Sequence, residues 1–204
     1  MTITSSIARS PGTIHPGWLR MTHWLNALAV LIMVTSGWRI YDASPLFDFN
    51  FPAEITLGGW LGGALQWHFA GMWLLAANGL LYLVINLAGG RMFRRFFPLS
   101  AKQILIDVYA VLRGKLAHAD QRQYNDVQRL AYLLVIVALA VLVISGLVLW
   151  KSVQFALLRE LLGGYDTARY IHFIAMALVV AFVAVHLVMV ALVPRTLIAM
   201  IRGR

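Results

Sequence analysis

Residues 170–193 run for 24 positions without a charged side chain. A stretch of that length suits a membrane, because about 20 apolar residues in a helix cross the hydrocarbon core of a bilayer. Residues 23–41, 67–88 and 130–150 have similar length and character. Trp24, Trp38, Tyr41, Trp67, Trp150 and Tyr170 lie at or near the ends of these stretches, where amphipathic rings prefer the membrane–water interface. The pattern predicts an all-α membrane protein: a four-transmembrane-helix bundle built as a single domain over residues 1–204. Composition agrees, since 61% of the residues are hydrophobic and 12% charged, roughly half the charged fraction of a soluble domain. The first 22 residues lack the apolar core and small-residue cleavage site of a signal peptide, so the first span is expected to be a retained anchor.

The net charge of +9 is unevenly distributed. Thirteen of the 17 basic residues lie before the first span, between the second and third, or after the fourth. The opposite side holds Arg39, Lys151, Arg159 and Arg169 against Asp42, Asp48, Glu54, Glu160 and Asp166. The positive-inside rule then places both termini and the middle loop in the cytoplasm. Topology and anionic membrane lipid account for the basic charge, so nucleic acid is not expected as a partner. Within the middle loop, Ser100 followed by Gln103 fits a capping box, and Ile104, Leu105, Val108, Val111 and Leu112 recur at helical spacing. Residues 100–116 are therefore expected to form an amphipathic helix, either on the cytoplasmic membrane face or packed beneath the bundle. On the outer side, LGGWLGG at residues 57–63 reads as a tight interfacial turn, with no lysine or cap to make it a phosphate loop.

Of six histidines, His23, His68, His172 and His186 fall within the spans, whereas His15 and His118 lie outside them. Ionisable groups in hydrocarbon are costly and need partners inside the bundle. Any one imidazole could simply bridge two helices; four together are decided by geometry. His172 and His186 are fourteen residues apart. In a helix that is about 21 Å of rise with a difference in direction of only about 40°. They share a face at opposite membrane depths. Direction of entry puts His68 level with His172 in the outer leaflet and His23 level with His186 in the inner leaflet.

Two level pairs from different helices suit bis-histidine haem b, which needs one neutral imidazole on each side of a planar macrocycle. A zinc or copper site would need a tighter cluster, and a proton relay would normally add intramembrane carboxylates, which the spans lack. The absence of cysteine excludes disulfides, thiolate iron–sulfur clusters and covalent haem attachment. Haem propionates need donors near the membrane surfaces, and Arg20 and Arg169, each three residues before a paired histidine, are candidates. Ordinary interfacial snorkelling explains either arginine equally well. The segments VTSGWRIY and VISGLVLW, late in spans one and three, are faintly alike and suggest comparable places for Gly37 and Gly146.

RMTHWLNA at 20–27, WHFAGMW at 67–73, YNDVQRLAY at 124–132 and RYIHFIAMALVVAFVAVH at 169–186 resemble the bacterial cytochrome b561 family. That family includes the b-type cytochrome subunits of nickel–iron hydrogenases, formate dehydrogenases and thiosulfate reductases. The resemblance covers residues ~15–195 and all four spans. It implies a multi-pass protein of the bacterial inner membrane, with His23, His68, His172 and His186 ligating two haems b. It also implies electron exchange between the quinone pool and a periplasmic redox partner, a molybdopterin oxidoreductase or a c-type cytochrome. The chain lacks the extra span of some hydrogenase subunits, so a stand-alone form or one serving a sulfite-oxidase-like molybdoenzyme is the nearer comparison. By family analogy a quinone would bind near the inner haem, with His15, Arg20, Asn26 and Tyr124 as candidate contacts. Lys151, Arg159 and Arg169 are candidate docking contacts, although solvated loop charges explain them as simply. Two other readings stand beside this one: a stand-alone superoxide oxidase or quinone reductase of the same fold, and a small non-haem transporter. The first would collect an anion at an outer surface bearing more acids than bases, which gives little steering.

Overall fold

The computed structural model of the chain describes residues 15–88, 100–112 and 126–203. Regular secondary structure among these residues is wholly helical. Seven α-helices follow in order among the described residues: α1 (Gly17–Asp42), α2 (Leu61–Ala88), α3 (Ala101–Leu112), α4 (Asp126–Trp150), α5 (Ala156–Leu161), α6 (Tyr165–Leu192) and α7 (Pro194–Arg202). Three segments are long and apolar enough to cross a membrane: Leu61–Ile85, Val127–Trp150 and Tyr165–Leu192. α1 has comparable length at 26 residues but is more polar, carrying Arg20, Arg39, Asn26, Thr22 and Ser36.

α1 packs along α2, and α4 along α6, so the bundle consists of two antiparallel hairpins. Most of the residues buried where helices meet are small: Ala29, Ala64, Ala138, Ala168, Ala175, Thr22, Ser36 and Ser145, beside Val148 and Val179. Leu80, Val137, Ile174, Leu178, Val185 and Leu187 instead point outward. That inversion of a soluble core suits helices in lipid, where close backbone approach replaces burial of large side chains as the basis of association. Gly71 marks the tightest approach within the first hairpin. A Cβ there would lie 3.0 Å from both Ile32 Cγ2 and Met33 Cγ.

The connections place the ends of the helices. Gly58 and Gly59 have φ of +108° and +70°, and a Cβ on Gly58 would strike the backbone of Ala64. Only glycine tolerates this turn, which leads into α2 as expected for LGGWLGG. At the same end, residues 43–60 carry an aromatic cluster across to the second hairpin. Tyr41 lies 5.1 Å from Phe173 between ring centroids, and Phe47 lies 5.3 Å from Phe173 and 5.9 Å from Tyr170. Arg169 Nη2 donates to the Ser44 carbonyl and, at 3.1 Å, to Ser44 Oγ. The end of the bundle carrying this cluster is called the upper end below.

At the lower end Pro194 stops α6 and begins α7, a short amphipathic helix absent from the sequence expectation. α7 ends at Gly203, whose φ of +81° is left-handed. Arg20 Nη1 donates to the carbonyl of Ile201 at 2.7 Å, placing a cation at the negative end of α7. The helix expected over residues 100–116 is present as α3, which packs against α4; residues 113–116 lie outside the described residues. Its third amide is capped as predicted, with Gln103 N donating to Ser100 Oγ at 3.3 Å. Of its predicted apolar face, Ile104 is half-buried and Leu105 exposed, and the side chains of Val108, Val111 and Leu112 lie outside the description.

Two glycines of α2 make a test. Gly79 faces open space, so Gly79→Ala leaves the melting temperature of the purified protein in detergent unchanged or slightly raised. Gly71→Leu forces Ile32 and Met33 apart and lowers it, at a cost of roughly 1–3 kcal/mol typical of overpacking.

Candidate functional site

The two hairpins face each other through their histidines. The structure brings His68 on α2 to His172 on α6, with ring centroids 6.5 Å apart and planes inclined by 57°. It brings His23 on α1 to His186 on α6, 6.2 Å apart and inclined by 52°. These are the same pairs that depth along the spans selects. The first lies at the upper end and the second at the lower end, joined by the continuous α6. Among the described residues no three His, Cys, Asp or Glu side chains converge, so the imidazoles meet only in twos.

The separations have chemical meaning. A metal–imidazole bond is about 2.0 Å and the ring centre lies roughly 1 Å beyond the nitrogen, so two imidazoles on opposite sides of one metal have centres about 6 Å apart. Both pairs have that spacing. Rings joined by a direct hydrogen bond would need a nitrogen–nitrogen approach near 3 Å, and so ring centres about 5 Å apart.

All four long helices build the upper pair. Ser36 Oγ on α1 is 3.0 Å from His68 Nδ1, and Ser145 Oγ on α4 is 3.0 Å from His172 Nδ1. The residue after each serine is glycine. A Cβ on Gly37 would lie 3.4 Å from His68 Cε1, and one on Gly146 would lie 3.3 Å from His172 Cε1. A Ser–Gly step on one helix of each hairpin thus seats the histidine of the other. The likeness of VTSG and VISG gave Gly37 and Gly146 comparable places; the serines beside them were missed. A small polar residue in both copies of that segment was the signal that would have found them.

The lower pair is set differently. His186 stacks on Phe182, one turn earlier on α6, with centroids 6.1 Å apart and planes 10° from parallel. Trp24 meets His23 edge-on at 5.3 Å. Three buried polar atoms near this pair have no hydrogen-bond partner among the described residues: His23 Nδ1, Arg20 Nε and Asn78 Oδ1. Asn78, not foreseen from sequence, is buried on α2, and its Nδ2 donates to the Thr22 carbonyl and to Asn26 Oδ1, both at 2.7 Å. It clasps α1 beside His23.

The remaining candidates are distributed as follows. Arg20 spends Nη1 on Ile201, and Arg169 is committed to Ser44 and lies 3.9 Å from Asp166. His15 and Arg20 flank Gly203, with Arg20 Cζ 3.1 Å and His15 O 3.3 Å from the position of a Cβ there. Asn26 is engaged by Asn78. Tyr124 and His118 lie outside the described residues. Lys151 sits over the Trp150 ring at 5.2 Å, and Arg159 lies in the last turn of α5.

Comparison with known proteins settles the family. The model of the prokaryotic cytochrome b561 family matches residues 14–203. The chain belongs to that family. One relative, from Azospira oryzae (strain ATCC BAA-33 / DSM 13638 / PS), is 67% identical over 190 residues, which cover 93% of this chain and 96% of the relative. It bears the name "Putative protein-methionine-sulfoxide reductase subunit YedZ1". No solved structure matches the chain. Family membership makes this a b-type haem protein of electron transport, and with its apolar helices a multi-pass protein of the inner membrane.

The paired imidazoles at two-ligand spacing, with glycines cradling one pair and a buried unpartnered nitrogen in the other, fit such a group. The Asn78 clasp is testable without it. Asn78→Leu keeps the volume but strands the Thr22 carbonyl and Asn26. It is expected to destabilise the first hairpin by about 1 kcal/mol, measured as thermal loss of helical circular dichroism.

Proposed function

We propose that the chain is a membrane di-haem b cytochrome that carries electrons between the quinone pool and a periplasmic redox partner. One observation carries this reading: two pairs of imidazoles, each pair at the separation of two ligands on one iron, held at opposite depths of one helix. His68 and His172 would hold the upper haem, and His23 and His186 the lower. When bound, haem b supplies a one-electron ferric–ferrous couple. Arg20 and Arg169 retain guanidinium N–H groups beyond those already used, and each sits one turn from a paired histidine, so they are the propionate donors of this reading.

The topology proposed is four spans, with α1 as the first and both termini in the cytoplasm; α3 then lies at the cytoplasmic face among anionic headgroups. Arg39 and Asp42 at the upper end of α1 then reach the periplasmic interface, and Arg20 at its lower end the cytoplasmic one. This makes the upper pair periplasmic and the lower pair cytoplasmic. Quinone is placed beside the lower pair, near His15, Arg20, Asn26 and Tyr124.

The partner reading rests on the relative from Azospira oryzae and its name. A protein-methionine-sulfoxide reductase, of molybdopterin type in this proposal, converts the sulfoxide to the thioether and water. That reaction consumes two electrons and two protons, so electrons would run outward from quinol. The aromatic cluster and Arg159 at the upper end are the surface it would meet.

Haem content tests the core of this reading. The purified full chain should contain two haems b, with a reduced-minus-oxidised spectrum of two low-spin centres. His68→Ala and His186→Ala should each leave one, and the haem remaining should differ between the two variants. One haem or none in the unmodified protein refutes the di-haem reading. Two haems that survive both substitutions refute the ligand assignment.

A further inference from the structure

The hydrogen bonds behind the upper pair specify more than position. A serine hydroxyl has one proton to donate. Ser36 Oγ lies 2.5 Å from the Ile32 carbonyl, and Ser145 Oγ lies 2.6 Å from the Val141 carbonyl. Each contact is with the residue four positions earlier, the usual back-bond of a helical serine. A carbonyl only accepts, so each hydroxyl proton is committed to its own helix. Each Oγ therefore faces the imidazole with lone pairs, and the contact at 3.0 Å requires the proton to be on His68 Nδ1 and on His172 Nδ1. That leaves Nε2 of both rings unprotonated, the form in which a neutral imidazole binds metal.

We propose that Ser36 and Ser145 are positioning residues of the upper haem site, locking His68 and His172 as Nε2 ligands and making both stronger electron donors. The proposal rests on the di-haem reading above. Its physical basis is that a ligating imidazole which donates its other N–H becomes a more basic ligand, and a more basic axial ligand favours the ferric state. Two such bonds act on one iron. Gly37 and Gly146 belong to the same device, because a Cβ there would lie 3.4 and 3.3 Å from Cε1 of the ring that the adjacent serine holds, so each ring rests against the helix at its glycine. The lower pair lacks an equivalent: His23 Nδ1 has no hydrogen-bond partner among the described residues. The serines therefore set the upper potential without touching the lower one, which lies about 21 Å away along α6. The driving force between the two haems follows from that difference.

The test is a redox titration of the purified full-length haem-loaded protein, with the upper transition assigned as the one missing from His68→Ala. Ser36→Ala and Ser145→Ala should each shift the upper midpoint potential upward and leave the lower one in place. The double variant should shift it by about the sum. Ser145→Thr, which keeps a hydroxyl able to back-bond, should restore the unmodified potential. If an alanine variant loses the upper haem while the threonine variant retains it, the hydroxyl is needed to seat the ring and the assignment stands. Two haems with both potentials unmoved in the double alanine variant overturn it. So does an equal shift of both haems, or a threonine variant that follows alanine. A haem count other than two in the unmodified protein instead overturns the di-haem reading, and is measured before any serine variant.

Discussion

Polar groups inside a hydrocarbon layer must find partners within the protein, and nearly every informative contact in this chain is a response to that demand. Water is not there to satisfy an imidazole, a hydroxyl or an amide, so each one fixes the position of something else. Ser36 and Ser145 satisfy themselves on their own helices and then on a histidine of the neighbouring helix. Asn78 donates its amide N–H groups to the Thr22 carbonyl and Asn26 of α1. The four histidines have no such option with one another. Their ring centres stand too far apart for direct bonding yet at the distance that a shared metal demands.

That demand also explains the packing. With the large apolar side chains turned to lipid, the hairpins are held by small residues and a few hydrogen bonds. Helices approach closely at Gly71, Ala29 and Ala64. Close approach carries a second benefit: glycines at 37 and 146 let imidazoles lie against a helix backbone. Structural packing and site construction use the same chemistry here, and the Ser–Gly step serves both.

The two hairpins repeat a single arrangement, but the two depths do not repeat each other. At the upper end a polar second layer supports both rings, and a cluster of aromatic side chains joins α1 to α6 above them. At the lower end His186 stacks on Phe182 and Trp24 meets His23 edge-on, and three buried polar atoms have no hydrogen-bond partner among the described residues. In the di-haem reading proposed above, this asymmetry around like ligands would make the two centres differ.

Much of this was legible along the chain. Runs of some twenty uncharged residues define helices, the placement of arginine and lysine implies orientation, and a fourteen-residue interval puts His172 and His186 on one face at two depths. From these follow the pairs that the structure brings together, because helix rise and direction of entry fix depth without any knowledge of neighbours. Arg20 and Arg169 were expected as propionate donors from their place one turn before a paired histidine; that each guanidinium also holds a backbone carbonyl came only from tertiary structure. Ser36, Ser145 and Asn78 were silent in the sequence because a hydroxyl or amide in a helix acquires meaning only from what the adjacent helix presents. Sequence by itself determined where the long apolar helices lie and how the histidines are spaced along them, since both depend on distance along one axis. Which serine stands behind each upper histidine, and on which helix, was decided only by tertiary structure, because that depends on contacts between axes.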